Sequence, residues 1–190
     1  MKILFISLGC DKNLVDSEEM LGLLNSRGYT FTDDETEADV IIINTCCFIN
    51  DAKEESVQTI LEMAEYKKTG KCKALIVTGC MAQRYKQEIL DEVSEVDRVL
   101  GTTAYEKIVE AVDEALAGSR GVEEKPLSYL PQTDAKRMVT TGGHYAYLKI
   151  SEGCNNRCTF CIIPKLRGDL VSRPIGDVLR EAEKLAKAGV

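Results

Sequence analysis

Three short apolar runs constrain the fold of this chain more than any other feature: residues 2–8 (KILFISL), 40–43 (VIII) and 74–78 (ALIVT). Each is closed by a turn-forming residue, Gly9, Asn44 or Gly79. A continuous apolar run of this length, bounded by such residues, reads as a strand buried on both faces. Helical stretches separate the runs. One takes Asp16 or Ser17 as N-cap and stops at Gly28, and another starts at Asn50 or Asp51 and leaves at Gly70. Two more cover residues 83–92 and 104–117, while residues 29–32 read as a short strand and 96–100 as an edge strand. Strands alternating with helices predict an α/β fold, an open parallel sheet with helices on both faces.

From residue 118 to 140 the pattern dissolves into Gly, Ser, charges, Pro126 and Pro131, which reads as a linker. Residues 1–117 then form one domain, and residues 141–190 open a second. That second unit has a predicted strand at 145–150, a cysteine-containing loop and a helix at 175–188. One βα unit cannot close a barrel, so the sequence reads as the front portion of a longer protein.

The loop reads Glu152-Gly153-Cys154-Asn155-Asn156-Arg157-Cys158-Thr159-Phe160-Cys161. Its C-x₃-C-x₂-C spacing wraps three thiolates around three irons of a 4Fe–4S cubane and leaves the fourth iron without a protein ligand. Structural zinc would want a fourth Cys or His at matching spacing, and none is nearby. A closed four-ligand module that only carries electrons or stabilises a fold is the non-catalytic alternative. Three further cysteines share one architectural position: Cys10, Cys46 and Cys80 each follow a buried strand. Ligands collect at the carboxyl ends of strands in open α/β sheets, near a switch in strand order. Placement alone leaves two readings open, a second three-thiolate site or small core residues. Cys72 precedes its strand and reads as structural. Cys47 neighbours Cys46, but adjacent side chains in extended backbone point apart; it reads as a spare ligand or an oxidation-prone thiol.

Charge narrows the partners. Lys and Arg number 24 against 31 Asp and Glu, a formal charge of -7. An acidic chain is a poor non-specific nucleic-acid binder and favours a basic or neutral partner. No apolar run reaches membrane-spanning length and the N-terminus lacks signal-peptide architecture, so the expected location is the cytoplasm, where the eight cysteines stay reduced. The lone histidine, His144, reads as a surface or strand-edge residue. Asn13, Asp16 and Asn44 read either as hydrogen-bond donors near the second cysteine set or as turn and cap residues. Glu152 and Arg167 flank the loop and are candidates to order it by a salt bridge.

The cysteine loop resembles that of the radical S-adenosylmethionine enzymes. Gly9-Cys10-Asp11-Lys12-Asn13, Asp16-Ser17-Glu18, Asn44-Thr45-Cys46 and Gly79-Cys80-Met81-Ala82-Gln83 resemble the N-terminal domain of the methylthiotransferase family within that group. The resemblance implies two 4Fe–4S clusters and S-adenosyl-L-methionine as cofactors. It puts an auxiliary cluster on Cys10, Cys46 and Cys80, and the radical cluster on Cys154, Cys158 and Cys161. It also puts Phe160 on the adenine side of the cofactor, the alternative being a ring packed beneath the loop. Which residues act as catalytic groups is left unassigned by the resemblance. Two branches of the family differ in substrate, one acting on isopentenyladenosine in transfer RNA, the other on an aspartate β-carbon of a small-subunit ribosomal protein. Leu14-Val15-Asp16-Ser17-Glu18, Phe48-Ile49-Asn50-Asp51-Ala52 and Arg167-Gly168-Asp169-Leu170-Val171-Ser172-Arg173-Pro174 are similar to the second branch. That branch implies a ribosomal protein as substrate, an electron donor such as flavodoxin or ferredoxin, no membrane, and no nucleic-acid substrate.

Overall fold

The computed structural model describes residues 1–130 and 137–190. Six strands form one parallel sheet: β1 (Lys2–Ser7), β2 (Thr30–Phe31), β3 (Val40–Thr45), β4 (Ala74–Gly79), β5 (Arg98–Leu100) and β6 (Gly121–Glu123). Their order across the sheet is β2-β1-β3-β4-β5-β6. The helices between them are α1 (Asp11–Ser26), α2 (Asn50–Thr69), α3 (Cys80–Glu92) and α4 (Ile108–Leu116). Beyond the sheet come β7 (Ser151–Glu152), α5 (Ile163–Arg167), β8 (Val171–Ser172) and α6 (Ile175–Lys187). Among the described residues no helix is long and apolar enough to cross a membrane.

Strand alternation splits the core into two layers, as the pleat requires. Leu4, Ile41, Ile43, Leu75, Val77 and Val99 pack on one side with Ile60 and Met63 of α2 and Ile89 of α3. Ile3, Val40, Ile42, Ala74, Ile76 and Leu100 pack on the other with Met20 of α1 and Val112 of α4. Every residue of β3 and β4 is buried, which is why their sequences are unbroken apolar runs until the strand ends. The chain leaves β1 for β2 on one side and then crosses back over β1 to β3 on the other. The order therefore reverses between β1 and β3, where crevices form at the carboxyl ends of strands.

Several expectations are corrected. α1 begins at Asp11, so Asp16 and Ser17 lie inside it, both buried, rather than capping it. The turn is made instead by Gly9 at φ +101°, and the Leu14 amide donates to the Cys10 carbonyl at 3.0 Å. β5 is not an edge strand, because β6, inside the segment read as a linker, pairs with it in parallel. Gly121 makes room there: a Cβ on it would meet the Arg98 guanidinium at 3.0 Å. Pro131 of that segment lies outside the described residues. Residues 145–150 do not form a strand, since sheet hydrogen bonds need a partner strand and none lies beside them among the described residues. The short antiparallel pair β7–β8 forms instead, β7 directly before the cysteine loop and β8 after α5.

Gly79 combines two constraints. Its φ is +91°, and a Cβ would stand 2.3 Å from Asn44 Oδ1 and 2.5 Å from the Thr45 carbonyl. Gly79→Ala is expected to destabilise the fold by about 2 kcal/mol or more, read by urea unfolding. A loss under about 0.5 kcal/mol would show that the β3–β4 exit is less tightly closed than it looks.

Candidate metal centre

Three loops at the carboxyl edge of neighbouring strands carry the first set of cysteines. Cys10 follows β1 as the residue before α1, Cys46 follows β3, and Cys80 is the first residue of α3 after β4. Cys10 is exposed, whereas Cys46 and Cys80 are 5% and 7% exposed. The helix N-termini that follow turn unpaired N–H groups and the positive ends of their dipoles toward this edge, a setting that favours thiolates.

One side chain ties the three loops together. The Asn13 amide donates from Nδ2 to the Leu8 carbonyl at 3.0 Å and to the Thr45 carbonyl at 2.9 Å. Its Oδ1 accepts from Cys80 Sγ at 3.8 Å and from the Arg167 guanidinium. Asn13 is fully buried, and its bonds to the Thr45 carbonyl, Cys80 and Arg167 are made in the interior, away from competition by water. Asn44 supports it, donating to the Asn13 carbonyl at 2.9 Å and to Ser17 Oγ at 2.8 Å. Ser56 of α2 closes the backbone of Cys46 from both sides, accepting from its N–H at 3.0 Å and donating to its C=O at 2.8 Å. Gly9 lies against the Cys46 thiol; a Cβ added there would be 3.1 Å from Sγ. Asn13 and Asn44 are thus buried connectors, not turn residues.

The second set lies in the loop between β7 and α5. Cys158 is exposed and Cys154 and Cys161 are half-buried. The Cys154 amide donates to the Gly168 carbonyl at 3.1 Å, and the Cys161 amide to the Cys158 carbonyl at 3.0 Å. Arg157 takes a positive φ of 49°, and its guanidinium pairs with Asp169 at 2.6 Å. Gly153 has no room for a side chain, since a Cβ would stand 2.1 Å from the Asp169 carbonyl oxygen. Phe160 is 90% exposed, so the reading that packs its ring beneath the loop is overturned.

Buried charges join the two sets. Arg167 Nη1 reaches Asp16 at 2.8 Å and Glu152 at 3.1 Å; Lys149 pairs with Asp16 and, at 3.2 Å, with Glu152. Burial would raise the Glu152 carboxyl, but Arg167, Lys149 and Lys12 outweigh it and hold it down at about 2. Glu152 and Arg167, each a candidate to order the loop by a salt bridge, pair with one another. The Asp16, Lys149 and Glu18–Arg137 contacts are what sequence reasoning missed: Glu18 is fully buried and pairs with Arg137 at 2.5 Å. A charged run, Asp16 to Glu19, on the buried side of a helix was the signal available.

All eight cysteines are free thiols. Among the described residues no group of three or more His, Cys, Asp or Glu side chains is gathered as a metal-holding set. The thiols are grouped by neighbouring loops and shared partners. Their chemistry suits iron–sulfur clusters, which take soft thiolate donors. Cys80, raised by burial to about 11, would give up its proton on binding iron. Cys47 is 3% exposed inside the apolar layer and its thiol is pushed up by burial, which argues against an oxidation-prone role. Cys72 is also buried, its thiol directed to the Ala74 carbonyl before β4, on the edge opposite the site. His144 is exposed, its ring edge-on to Tyr145 at 5.1 Å.

A cavity of about 800 Å³ opens between α3, the segment after β6, and α5. Gln83 and Arg84, just past Cys80, line one wall; Ile162 and Lys165, just past Cys161, line another.

Two family models match separate stretches of the chain. Residues 2–101 match the uncharacterized protein family UPF0004, and residues 148–190 match the radical SAM superfamily. A protein of Lachnoclostridium phytofermentans named ribosomal protein uS12 methylthiotransferase RimO is 60% identical over all 190 residues. The chain belongs to this methylthiotransferase family. Proteins of the same name from Clostridioides difficile and Myxococcus xanthus are 50% identical over 190 residues and 52% identical over 185. The chain spans 43% of the length of the first two family members and 38% of the third, while 100%, 100% and 97% of the chain is matched. Radical S-adenosylmethionine and iron–sulfur chemistry come with membership of the family.

Proposed function

We propose that this chain is the front portion of an enzyme that methylthiolates the β-carbon of an aspartate in a small-subunit ribosomal protein. The single observation that carries this reading is 60% identity, without a break in coverage, to a protein named for modifying ribosomal protein uS12. A formal charge of -7 supports a basic ribosomal protein over RNA.

In this reading Cys154, Cys158 and Cys161 hold one 4Fe–4S cluster, and Cys10, Cys46 and Cys80 hold a second. When bound, these groups and S-adenosyl-L-methionine supply a primary carbon radical strong enough for an unactivated C–H bond, and a site for the transferred sulfur. The chain's own residues do the positioning. Asn13 keeps the three strand-end loops in register, and Ser56 fixes the backbone of Cys46. Arg157 and Gly153 shape the radical loop so that its thiols stay on an open side. Phe160 offers an exposed ring on which an adenine can stack. Electrons come from a small carrier such as flavodoxin or ferredoxin. A non-catalytic metal module is disfavoured because each set offers three thiolates where a closed site needs four ligands.

The test uses full-length protein, reconstituted anaerobically and supplied with S-adenosylmethionine, a reductant and a sulfur source. Mass spectrometry of two substrates, the ribosomal protein and transfer RNA, follows the methylthio increment. An increment on an aspartate of the ribosomal protein is expected; one on the tRNA alone would assign the chain to the other branch.

A further inference from the structure

We propose that Arg167 is a shared positioning residue for both cysteine sets, locking the radical loop to the strand-end loops and placing a permanent positive charge beside Cys80. The proposal rests on the reading that Cys10, Cys46 and Cys80 hold a cluster.

Arg167 is the last residue of α5, so its backbone moves with the loop that carries Cys161. Its side chain is 5% exposed and crosses into the first unit. Nη1 holds Glu152, which leads into the radical loop, at 3.1 Å, and Asp16 of α1 at 2.8 Å. Nη2 donates to Asn13 Oδ1, the oxygen that also accepts from Cys80 Sγ. One guanidinium therefore touches the entry to one cysteine set and the connector of the other.

The other buried cations at this joint do not do the same. Lys149 serves Asp16 and Glu152 and lies over the Tyr105 ring at 5.1 Å, with no hydrogen bond or ion pair to either cysteine set among the described residues. Arg137 binds Glu18, Glu181 and the Tyr147 carbonyl. Only a planar fork with several fixed donors satisfies two carboxylates on one nitrogen and an amide oxygen on the other.

A fixed cation beside one ligand of a cluster stabilises the more negative, reduced state, and does so strongly where water is excluded. A structural brace alone would leave that potential unchanged. The test is a redox titration followed by electron paramagnetic resonance on full-length protein. It is run in a background with Cys154→Ala, Cys158→Ala and Cys161→Ala, so that only the Cys10, Cys46 and Cys80 site can be loaded. Arg167→Gln is expected to move the midpoint to more negative values, and Arg167→Lys to move it less. Asp16→Asn, which removes an anion from the same cluster of charges, is expected to move it the other way. Folded Arg167→Gln protein that no longer takes up iron would also support the positioning role. If Arg167→Gln does not fold, the sign of the Asp16→Asn shift decides. A cluster that forms in all variants with the parent's midpoint overturns the inference alone. A background protein that takes up no iron overturns the reading it rests on as well.

Discussion

Asp16→Ala is expected to destabilise the protein by about 3–5 kcal/mol, among the largest effects of any single side-chain truncation here. The carboxylate is 5% exposed and faces two cations, Lys149 and Arg167, whose side chains are 7% and 5% exposed. Without it, Glu152 is the one carboxylate still ion-paired to both among the described residues, and a buried charge left without its partner costs far more than the pair contributed. Burial would lower the Lys149 ammonium, but Asp16 and Glu152 hold it above its usual range, so the substitution removes the larger of its two carboxylate supports. Urea unfolding at pH 7 reads the loss. Adding Lys149→Met to Asp16→Ala is expected to restore part of it, because the remaining Glu152–Arg167 pair is then balanced. A loss below about 1 kcal/mol would mean that water reaches this joint.

Asn13→Leu is expected to cost a further kind of stability, about 3 kcal/mol, and to reach the candidate site directly. The side chain is fully buried and serves four partners: the carbonyls of Leu8 and Thr45, the Cys80 thiol and Arg167. Each partner left unsatisfied in the interior costs about 1–3 kcal/mol, reduced where the loops relax toward water. That relaxation is the informative part, since it separates the turns that carry Cys10, Cys46 and Cys80. The expected result is lower chemical stability together with loss of iron uptake at this set only. Full uptake in a folded Asn13→Leu protein would show that the loops hold their register without it.

The sheet was legible because β3 and β4 are buried on both faces, and the middle of β1 nearly so, and they appear as apolar runs. The strand-end position of Cys10, Cys46 and Cys80 followed from those runs alone. β6 was not legible: Gly121-Val122-Glu123 has one apolar residue and no period, and its pairing depends on β5 lying beside it. Asp16 and Ser17 misled because residues of these types cap helices more often than they line a buried helix face. Their partners explain the exception. Asp16 meets Arg167 across 151 residues and Lys149 across 133, separations at which local pattern carries no signal. Residues 145–150 have the composition of a strand, yet composition cannot supply the neighbour a strand must pair with.

The central claim is that the six cysteines make two separate three-thiolate cluster sites. The direct measurement is iron and sulfide per chain after anaerobic reconstitution. It compares the parent with the triple variant Cys154→Ala, Cys158→Ala, Cys161→Ala and with the triple variant Cys10→Ala, Cys46→Ala, Cys80→Ala. Two cubanes predict about eight irons in the parent and about four in each variant. About four irons in the parent and none in the first variant would contradict it, leaving the strand-end cysteines as core residues.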